Sequence, residues 1–326
     1  MKRVEIPIRE RKVTTNEVES LINGANKYLN SDINKHNANN NVSSVFICQK
    51  GSYAGLTYNE IINEIYNKFD NHYKLTKEDL IYLYNIYNMP YKSDQSLINK
   101  QTIVLMSRNK ILDMATIFEC SIDKIATHEN QIREGEYIVL LNDLGTNVLN
   151  NVDELRYVSG DIYAKYVNDV NFPNLESIGG SACFRDINSI GNLGKLRSIG
   201  GDADFNNILY AISLSNLEII GGDAWFPLLC STFELNNLRY IGKTAYFESL
   251  EHASELTNLQ YIGRNAYFTK IKTSVGLEKL ENISKVADFS SLRDIIGLNS
   301  LTNAGYIVIS SLNKHDQKVL KKQLNY

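Results

Sequence analysis

A period of 21 residues runs through the second half of the chain and limits its fold more than any other feature. Leu175 opens Leu-Glu-Ser-Ile-Gly-Gly-Ser-Ala-Cys-Phe, Leu196 opens Leu-Arg-Ser-Ile-Gly-Gly-Asp-Ala-Asp-Phe, and Leu217 opens Leu-Glu-Ile-Ile-Gly-Gly-Asp-Ala-Trp-Phe. Leu238 and Leu259 begin copies that end in Ala-Tyr-Phe, Leu280 begins a weaker one ending Val286-Ala287-Asp288-Phe289, and Leu155 and Leu301 start degenerate ones. Six apolar columns recur: the leucine, a residue three before it, the isoleucine three after it, the Ala and Phe of Ala-x-Phe, and an aliphatic residue three beyond that Phe. One unit cannot bury these side chains alone. Stacked coils bury them in a continuous core, each large side chain contributing about 1.5–3 kcal/mol.

Within Ala-x-Phe the apolar residues alternate, the period of a strand with one buried face. The Gly-Gly pair ahead of it marks a tight turn in which a side chain would clash. The expected coil therefore carries one short strand, and successive strands form a parallel ladder. The fold class read from this is α/β: a solenoid with a parallel strand ladder over residues 151–312, a mainly helical α+β domain over 1–150, and a C-terminal capping helix over 313–326. A length of 326 residues agrees with two domains and a cap.

The pattern resembles the leucine-rich-repeat family, in particular the short irregular repeats of receptor-L-domain-like proteins, over about residues 150–312. It departs from the common consensus where that consensus places an asparagine ladder after the strand; Ile208, Leu229, Leu250 and Ile271 stand there instead. The resemblance implies a protein-binding scaffold and leaves the ligand unnamed.

Strand side chains alternate, so the residue between Ala and Phe points away from the core. That column reads Tyr163, Cys183, Asp204, Trp225, Tyr246, Tyr267, Asp288. On neighbouring rungs about 4.8 Å apart, Trp225, Tyr246 and Tyr267 form a contiguous aromatic strip, in the residue types most enriched at interface hot spots. The column after the Phe adds a polar rim that includes Arg185 and Glu248. The candidate partner-binding set is therefore Trp225, Tyr246, Tyr267, Asp204, Tyr163, Arg185 and Glu248. Stacking of strand aromatics for stability alone is the competing reading. The column before the Ala (Ser181, Asp202, Asp223, Thr244, Asn265) is read as short polar side chains that hydrogen-bond nearby backbone, and not as a metal or acid–base site.

The first 150 residues lack the period. Thr57-x-x-Glu60 and Thr76-x-x-Asp79 are capping boxes that start helices, the second running past Leu83 and Tyr87 to a stop at Asn88-Met89-Pro90. A further helix is expected over Asn16–Tyr28, strands at Val45–Cys48, Thr102–Met106 and Tyr137–Leu141, and a loop over Asp32–Asn41. The segment 111–128 is faintly similar to a helix-turn-helix, which makes a nucleic-acid-associated regulator an alternative, although the second helix would carry acids beside Lys124 and His128.

Motifs for other chemistry do not emerge. The five histidines show no metal-ligand spacing, the glycine pairs are followed by no Gly-Lys-Ser/Thr, and no cofactor is implied. An enzyme site in residues 1–150, its residues distant in sequence, stays a third alternative. A formal net charge of -3 argues against general affinity for nucleic acid. The four cysteines are scattered singly, and neither a spanning apolar run nor a leader is visible, so a cytoplasmic protein off the membrane is expected. A rigid recognition surface without catalytic motifs suits a binding protein that inhibits its partner by covering it, as a phage or mobile-element inhibitor of a host enzyme would.

Overall fold

A computed structural model describes residues 48, 51–90, 94–145, 152–164, 169–185, 189–207, 213–230 and 234–326. The chain is α/β: a parallel-strand solenoid of about seven turns, with helices gathered in the N-terminal region. The helix expected over Asn16–Tyr28, the loop over Asp32–Asn41 and most of the strand expected over Val45–Cys48 lie outside the described residues.

Most coils carry two strands of the main sheet, where the alternation in Ala-x-Phe points to one, and a third short pair, Asp169–Val170 with Ser189–Ile190, forms a separate two-stranded sheet. The residue before the repeat isoleucine and the isoleucine itself pair with their equivalents: Ser177–Ile178, Ser198–Ile199, Ile219–Ile220, Tyr240–Ile241 and Tyr261–Ile262 form a first ladder. Ala182–Cys183, Ala203–Asp204, Ala224–Trp225, Ala245–Tyr246 and Ala266–Tyr267 form a second. The glycines separate the two. A Cβ on Gly200, Gly221, Gly242 or Gly263 would sit 2.1, 2.2, 2.0 or 2.0 Å from the carbonyl oxygen of the glycine one coil earlier. Successive coils thus meet at this corner so closely that only a hydrogen fits. One coil later Ser284 takes the glycine's place, both strands run on as the seven-residue strand Asn282–Asp288, and the ladders fuse into one 16-stranded sheet.

The first ladder also reaches back through Tyr157–Val158 and Val139–Leu140 to Ile125–Ala126, so the sheet starts N-terminal to residue 151. Tyr137–Leu141 does contain a strand, Val139–Leu140.

Between the ladders lies a core of the repeated columns. Phe184, Phe205, Phe226, Phe247, Phe268 and Phe289 are fully buried, as are the repeat leucines from Leu155 to Leu301. Phe226, Phe247, Phe268 and Phe289 stack almost parallel, with centroids 5.4, 5.4 and 5.5 Å apart. An asparagine ladder exists, but at the turn before the leucine. Asn174, Asn237 and Asn258 donate to the carbonyls of Asp153, Ser215 and Asn236 one coil earlier at 2.8, 2.5 and 2.6 Å, and Asn216 does the same to Gly194. The position after the strand holds Leu229, Leu250 and Ile271, all fully buried.

Four helices form a layer ahead of the solenoid: α1 (Tyr58–Asp70), α2 (Lys77–Leu83), α3 (Gln95–Met106) and α4 (Lys110–Phe118). Both capping boxes are present, at Thr57/Glu60 and Thr76/Asp79. The second helix ends earlier than its pattern suggested, because the chain turns through left-handed Asn85 (φ 46°) and Asn88 (φ 51°). Thr102–Met106, expected as a strand, is the last part of α3. Asp94 caps that helix, and Leu97 and Val104, two turns apart, share its buried side.

The helix-turn-helix expectation over 111–128 is overturned. Glu119 closes α4 in the left-handed conformation (φ 52°), and in place of a recognition helix come a single 3-10 turn, Ile122–Lys124, and the buried strand Ile125–Ala126. Ile125 and Ala126 pair with Val139 and Leu140, so sheet formation claims the residues a second helix would need. A one-turn helix α5 (Glu129–Ile132) follows, and α6 (Lys314–Gln323) closes the last coil.

Candidate partner-binding face

The second ladder brings the aromatic strip together. Trp225 pairs in register with Tyr246, and Tyr246 with Tyr267. The Trp225 and Tyr246 rings stack at 3.8 Å and 11°, and those of Tyr246 and Tyr267 at 5.3 Å and 24°. Each residue is half-buried, while the Ala and Phe on either side in its coil are fully buried. Tyr246 stacks by both ring faces, and Trp225 and Tyr267 each stack on it by one. Burial, with Asp223 adding to it, raises the Tyr246 pKa.

The other candidate residues surround the strip unequally. Asp204 is the rung before Trp225. Its Oδ2 accepts from Arg185 Nε and Nη2 at 3.0 and 2.6 Å, and its Oδ1 accepts from Asn206 Nδ2 at 2.6 Å. Arg185 therefore lies down along the ladder. Glu248 is half-buried on the rim beside Tyr246, and Thr269 Oγ1 donates to its backbone carbonyl at 3.1 Å. Tyr163 lies on the same ladder but apart from the strip, with Cys183 and Asp204 on the rungs between. Its hydroxyl donates to Asp161 Oδ2 at 2.6 Å, and that bond pushes its pKa up to about 12.

The polar column ahead of the Ala ties coil to coil. Ser181 Oγ, Asp202 Oδ1, Asp223 Oδ1 and Asn265 Oδ1 accept from the backbone amides of Asp202, Asp223, Thr244 and Val286, at 3.1, 2.8, 2.7 and 3.3 Å. The same series runs back through Asp161, which accepts from the Ser181 amide at 2.6 Å, to Asp143, which accepts from the Asp161 amide at 2.8 Å. These side chains hold the second ladder at a fixed spacing, which makes the aromatic face a rigid one.

The first ladder has an outward column too, and sequence reading missed it. Tyr157, Ser177, Ser198, Ile219, Tyr240 and Tyr261 occupy it, and all are buried. The helical layer packs on its early rungs. Asn88 Nδ2 donates to the Ile178 carbonyl at 2.9 Å and to Ser177 and Ser198 Oγ at 3.3 and 3.1 Å, while Ser177 Oγ donates to the Ile86 carbonyl at 2.5 Å. Phe118 stacks on Tyr157 at 5.6 Å.

Beside this seam lies a cavity of about 530 Å³, lined by Glu78, Tyr82, Arg197, Glu218, Arg239 and Lys279 among others. Its charged groups are engaged with protein: Arg197 pairs with Glu218 at 2.8 Å and lies over the Tyr87 ring, Glu78 accepts from Ser52, and Lys279 donates to Asn258. Among the described residues, no group of three or more His, Cys, Asp or Glu is placed to hold a metal ion. No described helix is long and apolar enough to cross a membrane, and no disulfide links the four cysteines. No family model, curated protein or solved structure matches the chain.

Proposed function

We propose that this chain is a protein-binding solenoid of leucine-rich-repeat type, and that its second ladder is the surface that meets the partner. The observation that carries the reading is the Trp225–Tyr246–Tyr267 stack: large aromatic residues, half-buried, in register on a ladder cross-tied by hydrogen bonds. Such a surface loses little conformational entropy on binding, because stacking and the inter-coil bonds already fix its rotamers. Binding of this kind would inhibit a partner by covering its active surface, inside a cell, with Arg185, Asp204, Glu248 and Tyr163 framing the contact.

Affinity capture from source-cell lysate, comparing the parent with a Trp225→Ala, Tyr246→Ala, Tyr267→Ala variant verified as folded by circular dichroism, tests the reading. A partner held by the parent and lost by the variant supports it. Identical capture by both would move the function off the second ladder.

A further inference from the structure

We propose that the partner meets the second ladder with a lysine- and arginine-rich polypeptide surface; this rests on the reading of that ladder as the binding face. The charge of its three outward columns is one-sided. Among the described residues, Asp161, Asp202, Asp204, Asp223, Glu248 and Asp288 stand there with one cation, Arg185, which already pairs with Asp204 at 2.6 Å; in sequence Lys165 holds the position equivalent to Arg185 one coil earlier. The neighbouring corner column adds cations only in the later coils, where Lys243, Arg264 and Lys285 replace the second glycine, and Lys243 Nζ reaches Asp202 at 3.1 Å. Around Trp225 and the rungs before it, carboxylates dominate.

The ring geometry narrows the choice further. A sugar or a nucleobase binds an aromatic platform through an open ring face. Here the Tyr246 ring is stacked against both Trp225 and Tyr267, and the outer faces of those two turn toward the neighbouring rungs, which carry Asp204 and Asp288. A nucleic acid would also bring phosphates against the carboxylates. Lysine and arginine match both halves of the surface: their aliphatic stems pack on ring edges while their heads donate to carboxylates and tyrosine hydroxyls. Asp223 illustrates the arrangement, since Oδ1 takes the Thr244 amide at 2.7 Å and the carboxylate still sets the field at Tyr246.

The test uses the full chain and a fluorescent peptide of alternating arginine and glycine, with an alternating glutamate and glycine peptide and a single-stranded oligonucleotide as comparisons. The variant is Asp202→Asn, Asp223→Asn, Glu248→Gln, Asp288→Asn; the amides keep the acceptors that bind neighbouring backbone. A control neutralises Glu134, Glu136, Asp153 and Glu154, away from the face. The expected result is arginine-peptide binding that weakens by about tenfold between about 0.05 and about 0.3 M NaCl, falls at least about tenfold in the face variant, and is retained by the control. Equal loss in both variants, or preference for the acidic peptide or the oligonucleotide, would overturn the proposal. Lysate capture separates it from the reading beneath. A partner lost by the aromatic variant but kept by the amide variant leaves the face in place and removes the cationic partner; a partner kept by the aromatic variant removes both.

Discussion

The two ladders of the solenoid come from one repeat and share one core, yet their outward columns have opposite fates. On the first, Ser177 and Ser198 are fully buried and tied to Asn88 and Ile86 of the helical layer. On the second, Trp225, Tyr246 and Tyr267 are stacked and half-buried, and the helical contacts described above fall on the other ladder. Size does not separate the columns, since Tyr157, Tyr240 and Tyr261 are buried on the first ladder while Trp225, Tyr246 and Tyr267 are half-buried on the second. Pointing away from the core is a property of strand geometry; being buried is a property of what packs there.

The deepest way to break the comparison is to remove what both ladders rest on. Phe247→Ala takes a fully buried ring from the middle of the phenylalanine stack, and should cost about 3–5 kcal/mol in denaturant-unfolding free energy. Gly242→Ala acts at the corner between the ladders. Its Cβ would meet the Gly221 carbonyl oxygen, so a loss of about 1–3 kcal/mol is expected, whereas Lys243→Ala next to it should change the same unfolding midpoint little.

Asn88→Ala affects the covered ladder alone. It removes the side-chain donor shared by the Ile178 carbonyl, which keeps the Gly200 amide, and the Ser177 and Ser198 hydroxyls, which keep each other, and it puts alanine at φ 51°; together these should cost about 1–3 kcal/mol. Hydrogen exchange should speed up at Ser177–Ile178 and Ser198–Ile199, with no change at Ala224–Trp225. Equal acceleration at both would mean that the ladders do not respond separately.

The smallest effect is a matter of proton affinity. Tyr157 on the covered ladder and Tyr163 on the open one both have pKa values pushed up to about 12, the first by burial and the second by its bond to Asp161. A raised folded-state value means that the folded chain holds the proton more tightly. The stabilisation is therefore complete below the ordinary value of 10.0 and is lost as pH rises through about 12. Asp161→Asn should return Tyr163 toward its ordinary range and leave Tyr157 unmoved. Tyrosinate absorbance, with Tyr157→Phe and Tyr163→Phe variants for assignment, reads this out.

Much of the second ladder was legible in sequence, because the Ala and Phe columns that bracket its outward residue recur from coil to coil. Leu, Ile, Ala and Phe announce the core, and the residue between Ala and Phe announces the face. The first ladder was not legible. Its strands are two residues long, like those of the second, but no apolar pair such as Ala and Phe brackets its outward residue, and that column changes from Ser198 to Ile219 to Tyr240. What unites that column is contact with residues far away in sequence, such as Asn88, and no local pattern reports such contact. Thr102–Met106 was misread for a related reason: a continuous apolar run fits strand and helix alike, and the Asp94 cap that decides for helix lies eight residues upstream. At the candidate site, the strip and its neighbours were readable from the repeat, while the Arg185–Asp204 pair and the Tyr163–Asp161 bond needed the third dimension.

The C-terminal helix bears on a question that every repeating thread poses, namely what meets its open edge. Gln323 Nε2 donates to the carbonyls of Leu298 and Leu301 at 2.7 Å, and the Tyr326 hydroxyl donates to that of Ala304 at 2.5 Å. Inside the solenoid, backbone groups of this kind are taken by the next coil. Here α6 and Tyr326 take those of Leu298, Leu301 and Ala304, covering part of the last coil's outer edge. A coil that borrows its partners from its neighbour is, in principle, the seed of an endless fibre, and side chains folded back onto the last coil occupy part of what a further copy would need.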